Sequence, residues 1–169
     1  MTNGRVAIVA GCRTPFAKAG TVYRELTALD LAKACVRELV ERTEVDPAVI
    51  GYAVMGQVIP SVKAPNLARE VVLGTGLPMG TPAHTVNRAC ASASEAIAEV
   101  ASAIMAGHIE AGIAGGAESL SDAPVLHSRK MAQAFVEASR ARSLDAPTRS
   151  TTNFRRPRAT RCVRSSLAS

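Results

Sequence analysis

The chain has 169 residues, of which 47% are apolar, 20% are charged and 3% are aromatic. This balance suits one globular domain or part of a larger one, and no apolar run approaches the roughly 18 residues of a membrane-spanning helix. The formal net charge is +6. Five arginines and no acidic residue fall in residues 151–169, so the preceding residues are nearly neutral and give no charge argument for nucleic-acid binding.

The first part of the chain predicts strands that alternate with helices. Arg5–Ala10 is a continuous apolar run, which indicates a buried first strand rather than a signal peptide. Thr27 begins a capping-box-like T-A-L-D sequence, and the helix after it has one apolar face made of Ala32, Cys35, Val36, Leu39 and Val40. Asp46 and Pro47 resemble the N-cap and first residue of a short helical turn.

The same alternation continues towards the carboxyl end. The pattern predicts strands at 52–59 and 111–116, an extended segment at 85–88, and helices at 66–73, 91–106 and 128–142. The helix at 91–106 has a stripe of small and aliphatic residues, namely Ala93, Ala96, Ile97, Val100, Ala101, Ile104 and Met105. We therefore expect an α/β fold in which a mixed or parallel sheet is covered by helices on both faces.

Four cysteines, Cys12, Cys35, Cys90 and Cys162, lie far apart in the sequence. No C-x-x-C pair or zinc-finger spacing occurs, so we expect neither a metal site nor a bound cofactor. The composition is typical of a cytoplasmic protein, in which a disulfide framework is not expected. Cys12 and Cys35 are interpreted as small buried residues.

Cys90 lies where the extended segment meets the helix at 91–106. The amino end of a helix carries a partial positive charge and free N–H groups, which tend to lower the pKa of a cysteine placed there. The same N–H groups can hold a developing oxyanion, and the small neighbours leave room for a substrate. The position suits a nucleophile that attacks an acyl group, although a buried structural cysteine would fit the sequence equally well.

Several motifs, in order, resemble those of the thiolases. VNRACASASEAI at 86–97 is similar to the segment around the family's nucleophile, RVAIVAGCRTPFAKAG at 5–20 to its opening strand and loop, and GGAES at 115–119 to the segment after the nucleophile helix. The resemblance runs from about Arg5 to about Arg142. It implies that Cys90 accepts the acyl group of a coenzyme A thioester and that its backbone N–H forms part of an oxyanion hole. The segment at 125–142, VLHSRKMAQAFVEASRAR, is more similar to the fatty-acid-oxidation branch of the thiolases.

The resemblance covers only the first half of a thiolase. The family takes its base and acid from a Gly-His-Pro and a Cys-x-Gly segment of its second half, and neither tripeptide occurs in this sequence. His84, His108 and His127 are interpreted as surface or strand-end residues rather than as the catalytic base. The residues that contact coenzyme A are not assigned. The half fold implies impaired activity, a partly exposed nucleophile helix and, if folded, a homo-oligomer.

The resemblance also implies a domain organisation. Residues 1–125 form the core of the thiolase amino-terminal half, and residues 126–147 begin the loop domain that helps to hold coenzyme A. Residues 148–169 form a basic, disordered tail, which a frameshift in a GC-rich coding sequence would produce.

Three alternatives to a catalytic thiolase stay open. The chain could be a non-catalytic thiolase remnant or dimerisation module, because the Cys90 region lies near the dimer contact in that family. It could be a ketoacyl synthase, although those enzymes have Thr-Ala-Cys-Ser rather than Ala-Cys-Ala around the cysteine. A nucleic-acid binder that uses the arginine-rich end ranks last.

Overall fold

The computed structural model describes residues 5–140. Residues 5–125 form one compact unit, and residues 126–140 belong to a second. The regular elements are α1 (Ala28–Thr43), a 3-10 turn (Pro47–Val49), β1 (Ile50–Gly56), α2 (Leu67–Gly74), β2 (Ala83–Val86), α3 (Ser92–Met105), β3 (Ala111–Gly116) and α4 (Arg129–Arg140).

The capping box predicted at Thr27 is confirmed. The Thr27 hydroxyl accepts a hydrogen bond from the Asp30 backbone N–H at 3.1 Å, and the Asp30 carboxylate accepts one from the Thr27 N–H at 2.9 Å. These bonds satisfy two N–H groups that the start of a helix leaves without partners. They also lower the pKa of Asp30, because the Thr27 side chain and backbone both donate to the charged carboxylate.

Asp46 and Asn66 begin the next two helical elements as the sequence predicted. The Asp46 carboxylate accepts a hydrogen bond from the Ala48 N–H at 2.9 Å, and the Asn66 side-chain oxygen accepts one from the Arg69 N–H at 3.1 Å. The amide nitrogen of Asn66 also donates to the Ala83 carbonyl at 3.1 Å. Asn66 therefore joins the start of α2 to β2 as well as capping the helix.

The described strands form one sheet in the order β2–β1–β3. Both pairings are parallel: Val54 of β1 lies opposite His84 of β2 and Ala114 of β3. The α/β class is confirmed, and the sheet is parallel throughout the residues that the structure describes. The strand predicted at 52–59 begins and ends earlier, as β1.

Helices cover both faces of this sheet, as expected. Because side chains alternate along a strand, Ala53 and Met55 face α1 and α2, whereas Val54 faces α3. The first face buries a cluster formed by Ala32, Val36, Ile50, Ala53, Met55, Leu67, Ala68, Val71, Val72, Leu77 and Ile113. The second buries a smaller cluster of Val54, Ala96 and Val100.

The strand predicted at Arg5–Ala10 is wrong. This segment has no regular secondary structure, and Ile8 and Val9 are 83% and 94% exposed. A continuous apolar run predicts burial, but a strand also requires a neighbouring edge that satisfies its N–H and C=O groups. The described strands do not pair with this segment.

The stripe predicted on α3 is only partly buried. Ala96 and Val100 lie in the core, whereas Ile97 and Met105 are 46% and 59% exposed. The helix ends as predicted: Gly107 has a φ of 75°, the left-handed conformation that glycine adopts readily after a helix.

The second unit is described only up to residue 140. The helix predicted at 128–142 is present as α4 (Arg129–Arg140), which buries no residue, and its last two predicted residues lie outside the described range. The prediction for residues 148–169 also falls outside that range, and the domain boundaries stay predictions. Within residues 5–140, no helix is long and apolar enough to cross a membrane.

Candidate active site

Cys90 lies at the corner between β2 and α3, as the sequence predicted. It follows Val86, the last residue of β2, by four positions and precedes Ser92, the first residue of α3, by two. Because the three strands are parallel, their carboxyl ends share one edge of the sheet, and that edge is where α/β proteins usually bind ligands.

The corner is built around Ala89, whose φ of 48° lies in the left-handed region. A non-glycine residue adopts this conformation at a cost of about 1–2 kcal/mol. The Ala89 N–H donates to the Asn87 side-chain oxygen at 3.0 Å, and the Ala89 carbonyl accepts the Ser92 hydroxyl at 2.6 Å. These bonds hold the strained residue that turns the chain immediately before Cys90.

Neighbouring side chains tie this corner to the rest of the unit. The Asn87 amide donates to the Val58 carbonyl at 3.1 Å, just beyond β1. The Ser92 hydroxyl accepts the Arg88 N–H at 2.8 Å, and the Arg88 guanidinium forms an ion pair with Glu95 in the first turn of α3. The corner is therefore fixed by side-chain contacts on both sides of Cys90.

Cys90 is exposed, and its backbone N–H has no hydrogen-bond partner among the residues that the structure describes. Hydrogen bonds are found for the N–H groups of Arg88, Ala89, Ala91 and Ser92, and within residues 5–140 none is found for that of Cys90. The N-cap residue Ala91 also has no side chain that could accept a bond from the helix. The start of α3 thus offers an uncapped, partly positive end next to a free thiol.

His84 is held in place by two neighbours on the α3 face of the sheet. Its Nδ1 lies 2.9 Å from the Tyr52 hydroxyl, and its Nε2 lies 3.0 Å from a Glu99 carboxylate oxygen. Burial, and then the nearby Glu99 charge, raise the pKa of Tyr52. Both ring nitrogens of His84 are therefore engaged by Tyr52 and Glu99, although the sequence indicates only a surface or strand-end residue.

The other two histidines lie elsewhere. His108 is exposed after the end of α3, and its N–H bonds to the Ala103 carbonyl. His127 belongs to the second unit, where its ring packs edge-on against Phe135. Among residues 5–140, no three His, Cys, Asp or Glu side chains converge as a metal ion would require.

A cavity of about 450 Å³ opens beside the start of α1. Gln57 lines it and is only 4% exposed, yet its side-chain oxygen has no hydrogen-bond partner in the part of the chain that the structure describes. Glu118 lines the same cavity and accepts hydrogen bonds from the N–H groups of Val58 and Ile59, at 2.8 and 3.3 Å. Glu118 therefore links the segment after β3 to the segment after β1.

Sequence reasoning missed the residues that support Cys90. The roles of Asn87 and Ser92 depend on the left-handed turn at Ala89, and no residue type signals that turn, since Gly or Asn would be its usual marker. The buried Gln57 was missed for a similar reason, because it continues an apolar strand pattern.

The arrangement defines an α/β protein with an accessible cysteine at a strand–helix corner. Residues 6–155 match the family model described as "Thiolase, N-terminal domain", so the chain belongs to the thiolase family. It is 50% identical over 143 residues to a 3-ketoacyl-CoA thiolase of Colwellia psychrerythraea, covering 85% of this chain and 33% of that protein. It is 52% identical over 140 residues to one of Serratia proteamaculans, covering 83% and 32%.

Solved structures agree with this assignment. The acetyl-CoA acetyltransferase of Bacillus anthracis matches with a TM-score of 0.67 and 28% identity, over 71% of this chain and 31% of that one. The Acat5 thiolase of Ascaris suum in complex with coenzyme A matches with a TM-score of 0.65 and 28% identity, over 70% and 31%. The thiolase-like fold predicted from the motifs is confirmed. The chain spans about a third of the length of these relatives.

Proposed function

We propose that Cys90 is the acyl-accepting nucleophile of a 3-ketoacyl-CoA thiolase and that this chain supplies the nucleophile half of the active site. The observation that carries the proposal is the exposed Cys90 beside the uncapped start of α3, with no hydrogen bond to the Cys90 N–H within residues 5–140. The relatives at about 50% identity, which are named 3-ketoacyl-CoA thiolases, support the substrate class.

The proposed step is acyl transfer from a 3-ketoacyl-CoA to Cys90. The thiolate attacks the C3 carbonyl carbon, the Cα–Cβ bond breaks, and acetyl-CoA leaves as a carbanion that must gain a proton. The acyl group then passes from sulfur to a second coenzyme A. The Cys90 N–H is suited to stabilise the oxyanion that forms on the attacked carbonyl.

Two proton transfers in this sequence lack a candidate group in the chain. A base must take the thiol proton and an acid must protonate the leaving carbanion. His84 is engaged by Tyr52 and Glu99, and the Gly-His-Pro and Cys-x-Gly tripeptides of the family's second half are absent from the sequence. We therefore propose that the 169 residues by themselves do not turn over at ordinary thiolase rates.

Intact-protein mass spectrometry with acetoacetyl-CoA tests the nucleophile. The expected result is slow addition of one acetyl group to Cys90, located by peptide mapping. Hydroxylamine should remove the acetyl group, as it does from a thioester. Cys90→Ser should not form this thioester, whereas His84→Gln should still form it. Modification that persists in Cys90→Ser, or that maps to another cysteine, would contradict the assignment.

A steady-state assay tests completeness. With acetoacetyl-CoA and coenzyme A, the purified chain should show no sustained turnover, so the acetyl-CoA formed above a Cys90→Ala control should not exceed the amount that one slow acylation of Cys90 accounts for. Turnover at ordinary thiolase rates would show that the chain carries its own acid and base.

The second candidate is a non-catalytic remnant or dimerisation module, which the exposure of Ile97 and Met105 on α3 favours. Iodoacetamide separates the candidates in part: an accessible nucleophile should be alkylated faster than the half-buried Cys12 and Cys35. Equal rates would favour the second candidate. Homo-oligomerisation and a cytoplasmic location stay predictions.

A further inference from the structure

Cys12 and Cys35 are in contact although 23 positions separate them. Their sulfur atoms are 3.7 Å apart. The Cys35 thiol donates to the Cys12 carbonyl at 3.1 Å, and the Cys12 thiol donates to the Cys35 carbonyl at 3.6 Å. Both side chains are half-buried, and the acyl-transfer proposal uses neither. The contact joins the segment before α1 to the face of α1 that packs towards the sheet.

We propose that Cys12 and Cys35 form a reversible disulfide when the protein meets a hydroperoxide. A disulfide bond is about 2.0 Å long, so the two sulfurs need to approach by about 1.7 Å from their present separation. The segment that carries Cys12 can supply this movement. Residues 5–17 have no regular secondary structure and make no backbone–backbone hydrogen bonds within the described part of the chain.

The surroundings assign different roles to the two thiols. Cys12 lines a shallow, open depression with Arg13 and Arg42, and Arg42 is also paired with Glu38 at 2.6 Å. Burial, and then the neighbouring Cys12 thiol, raise the pKa of Cys35 to about 11. Cys12 is therefore the thiol that reacts first, and Cys35 is the one that resolves.

The chemistry balances with a hydroperoxide as the oxidant. The Cys12 thiolate attacks the terminal peroxide oxygen, so that an S–O bond forms, the O–O bond breaks and an alcohol leaves. The Cys35 sulfur then attacks the Cys12 sulfenic acid. An S–S bond forms, the S–O bond breaks, and hydroxide leaves with the Cys35 proton as water. Two thiols and one hydroperoxide thus give one disulfide, one alcohol and one water.

The disulfide is tested by equilibrium with a glutathione redox buffer. A Cys90→Ser, Cys162→Ser variant retains only Cys12 and Cys35, and the bond is quantified as the cross-linked tryptic peptides VAIVAGCR (residues 6–13) and ACVR (residues 34–37). We expect the effective concentration of one thiol towards the other to be at least about tenfold higher in buffer than in concentrated urea. Equal effective concentrations in buffer and in urea would overturn the proposal. A variant that does not fold in buffer would give this same result.

A control moves the first cysteine of the pair to another position that precedes α1 in the sequence. In a Cys12→Ser, Val22→Cys version of this variant, the new thiol replaces a side chain that is 80% exposed and closes a shorter loop to Cys35. Loop-closure entropy alone favours the shorter loop, so the pair at Cys12 and Cys35 should form the bond more readily only if native contact brings them together. A higher effective concentration for the control pair would also overturn the proposal.

Discussion

Gly56, at the carboxyl end of β1, lies directly against Ala93 in the first turn of α3. A Cβ at Gly56 would come within 2.5 Å of the Ala93 backbone nitrogen. Gly116, at the end of β3, is nearly as close, since a Cβ there would lie 3.1 Å from that of Ala93. Two strand ends without side chains therefore let the start of α3, and the Cys90 corner before it, approach the sheet.

Gly56→Ala should destabilise the protein and disturb the corner. The new methyl group meets backbone atoms of α3 rather than a side chain that could move, so overpacking should lower the free energy of unfolding by about 1–3 kcal/mol. Urea denaturation measures this loss, and the rate of Cys90 alkylation reports any displacement of the corner.

Gly80→Ala is the matched control. A Cβ at Gly80 meets nothing within 4 Å, and its backbone is not in the left-handed region. This variant should match the parent protein or exceed its stability by a few tenths of a kcal/mol, because alanine reduces the entropy of the unfolded chain. Similar losses in both variants would show that contact with α3 is not the cause.

Ala89→Gly should relieve strain at the turn before Cys90. The left-handed backbone at Ala89 costs alanine about 1–2 kcal/mol, whereas glycine adopts it freely but loses about 0.4–1 kcal/mol through greater freedom in the unfolded chain. The net effect on the free energy of unfolding should lie between zero and a gain of about 1.6 kcal/mol.

The control for this variant is Ala98→Gly, at an exposed position within α3. There glycine should cost about 1 kcal/mol, as in other helix interiors. Equal losses at both positions in urea denaturation would mean that Ala89 does not adopt the strained conformation in solution.

Local features of this fold could be predicted from the sequence, and contacts between distant segments could not. The start of α1 at Thr27 and the glycine after α3 depend on hydrogen bonds or backbone angles within a few residues, which the sequence indicates directly. The failed strand at Arg5–Ala10 depends on whether a sheet edge pairs with it, and no local pattern carries that information. The Cys12–Cys35 contact was missed for the same reason.

The candidate site shows the same division. The position of Cys90 at a helix start follows from helical periodicity and from motif order, and both are properties of the sequence. Its support by Asn87, Ser92 and the left-handed Ala89 depends on a backbone turn, and the residue types in that turn do not predict its conformation.

Thr27→Ala should remove the cap of α1 and cost about 1 kcal/mol at neutral pH. This loss of stability should be smaller in acid, because the hydrogen bonds from Thr27 lower the pKa of Asp30 in the folded state. A carboxylate with a lowered pKa contributes stability that is present above its unfolded pKa, near 3.8, and is lost as the pH falls through the folded value.

Urea denaturation at pH 7 and at pH 3 compares the parent and Thr27→Ala. Ser102→Ala serves as the control, since within residues 5–140 this exposed hydroxyl bonds only to the Ala98 carbonyl of the same helix and its removal should change stability by less than about 0.5 kcal/mol. A Thr27→Ala loss that does not depend on pH would contradict the coupling to Asp30.

Raising the pH should destabilise the protein through Cys35. The fold raises the pKa of this thiol from 9.0 to about 11, first through burial and then through the neighbouring Cys12. The unfolded chain therefore ionises at a lower pH than the folded one, so the stabilising difference is complete below pH 9.0 and is lost as the pH rises towards 11. Two pKa units correspond to about 2.7 kcal/mol. Because Cys35 is only half-buried, solvent screening reduces the expected loss to about 1 kcal/mol.

The measurement is urea denaturation at pH 8 and pH 11 under reducing conditions, with Cys35→Ala as the comparison. The pKa of Tyr52 is also raised, so its ionisation lowers the stability of both proteins as the pH rises. The difference between their two alkaline losses therefore reports the contribution of Cys35. Cys35→Ala should start from a lower stability at pH 8, because it leaves a small gap between α1 and the segment that carries Cys12, but should lose about 1 kcal/mol less on going to pH 11. Parallel losses in the two proteins would show that the Cys35 thiol ionises equally in the folded and unfolded chains, as it would if its contact with Cys12 did not persist in solution.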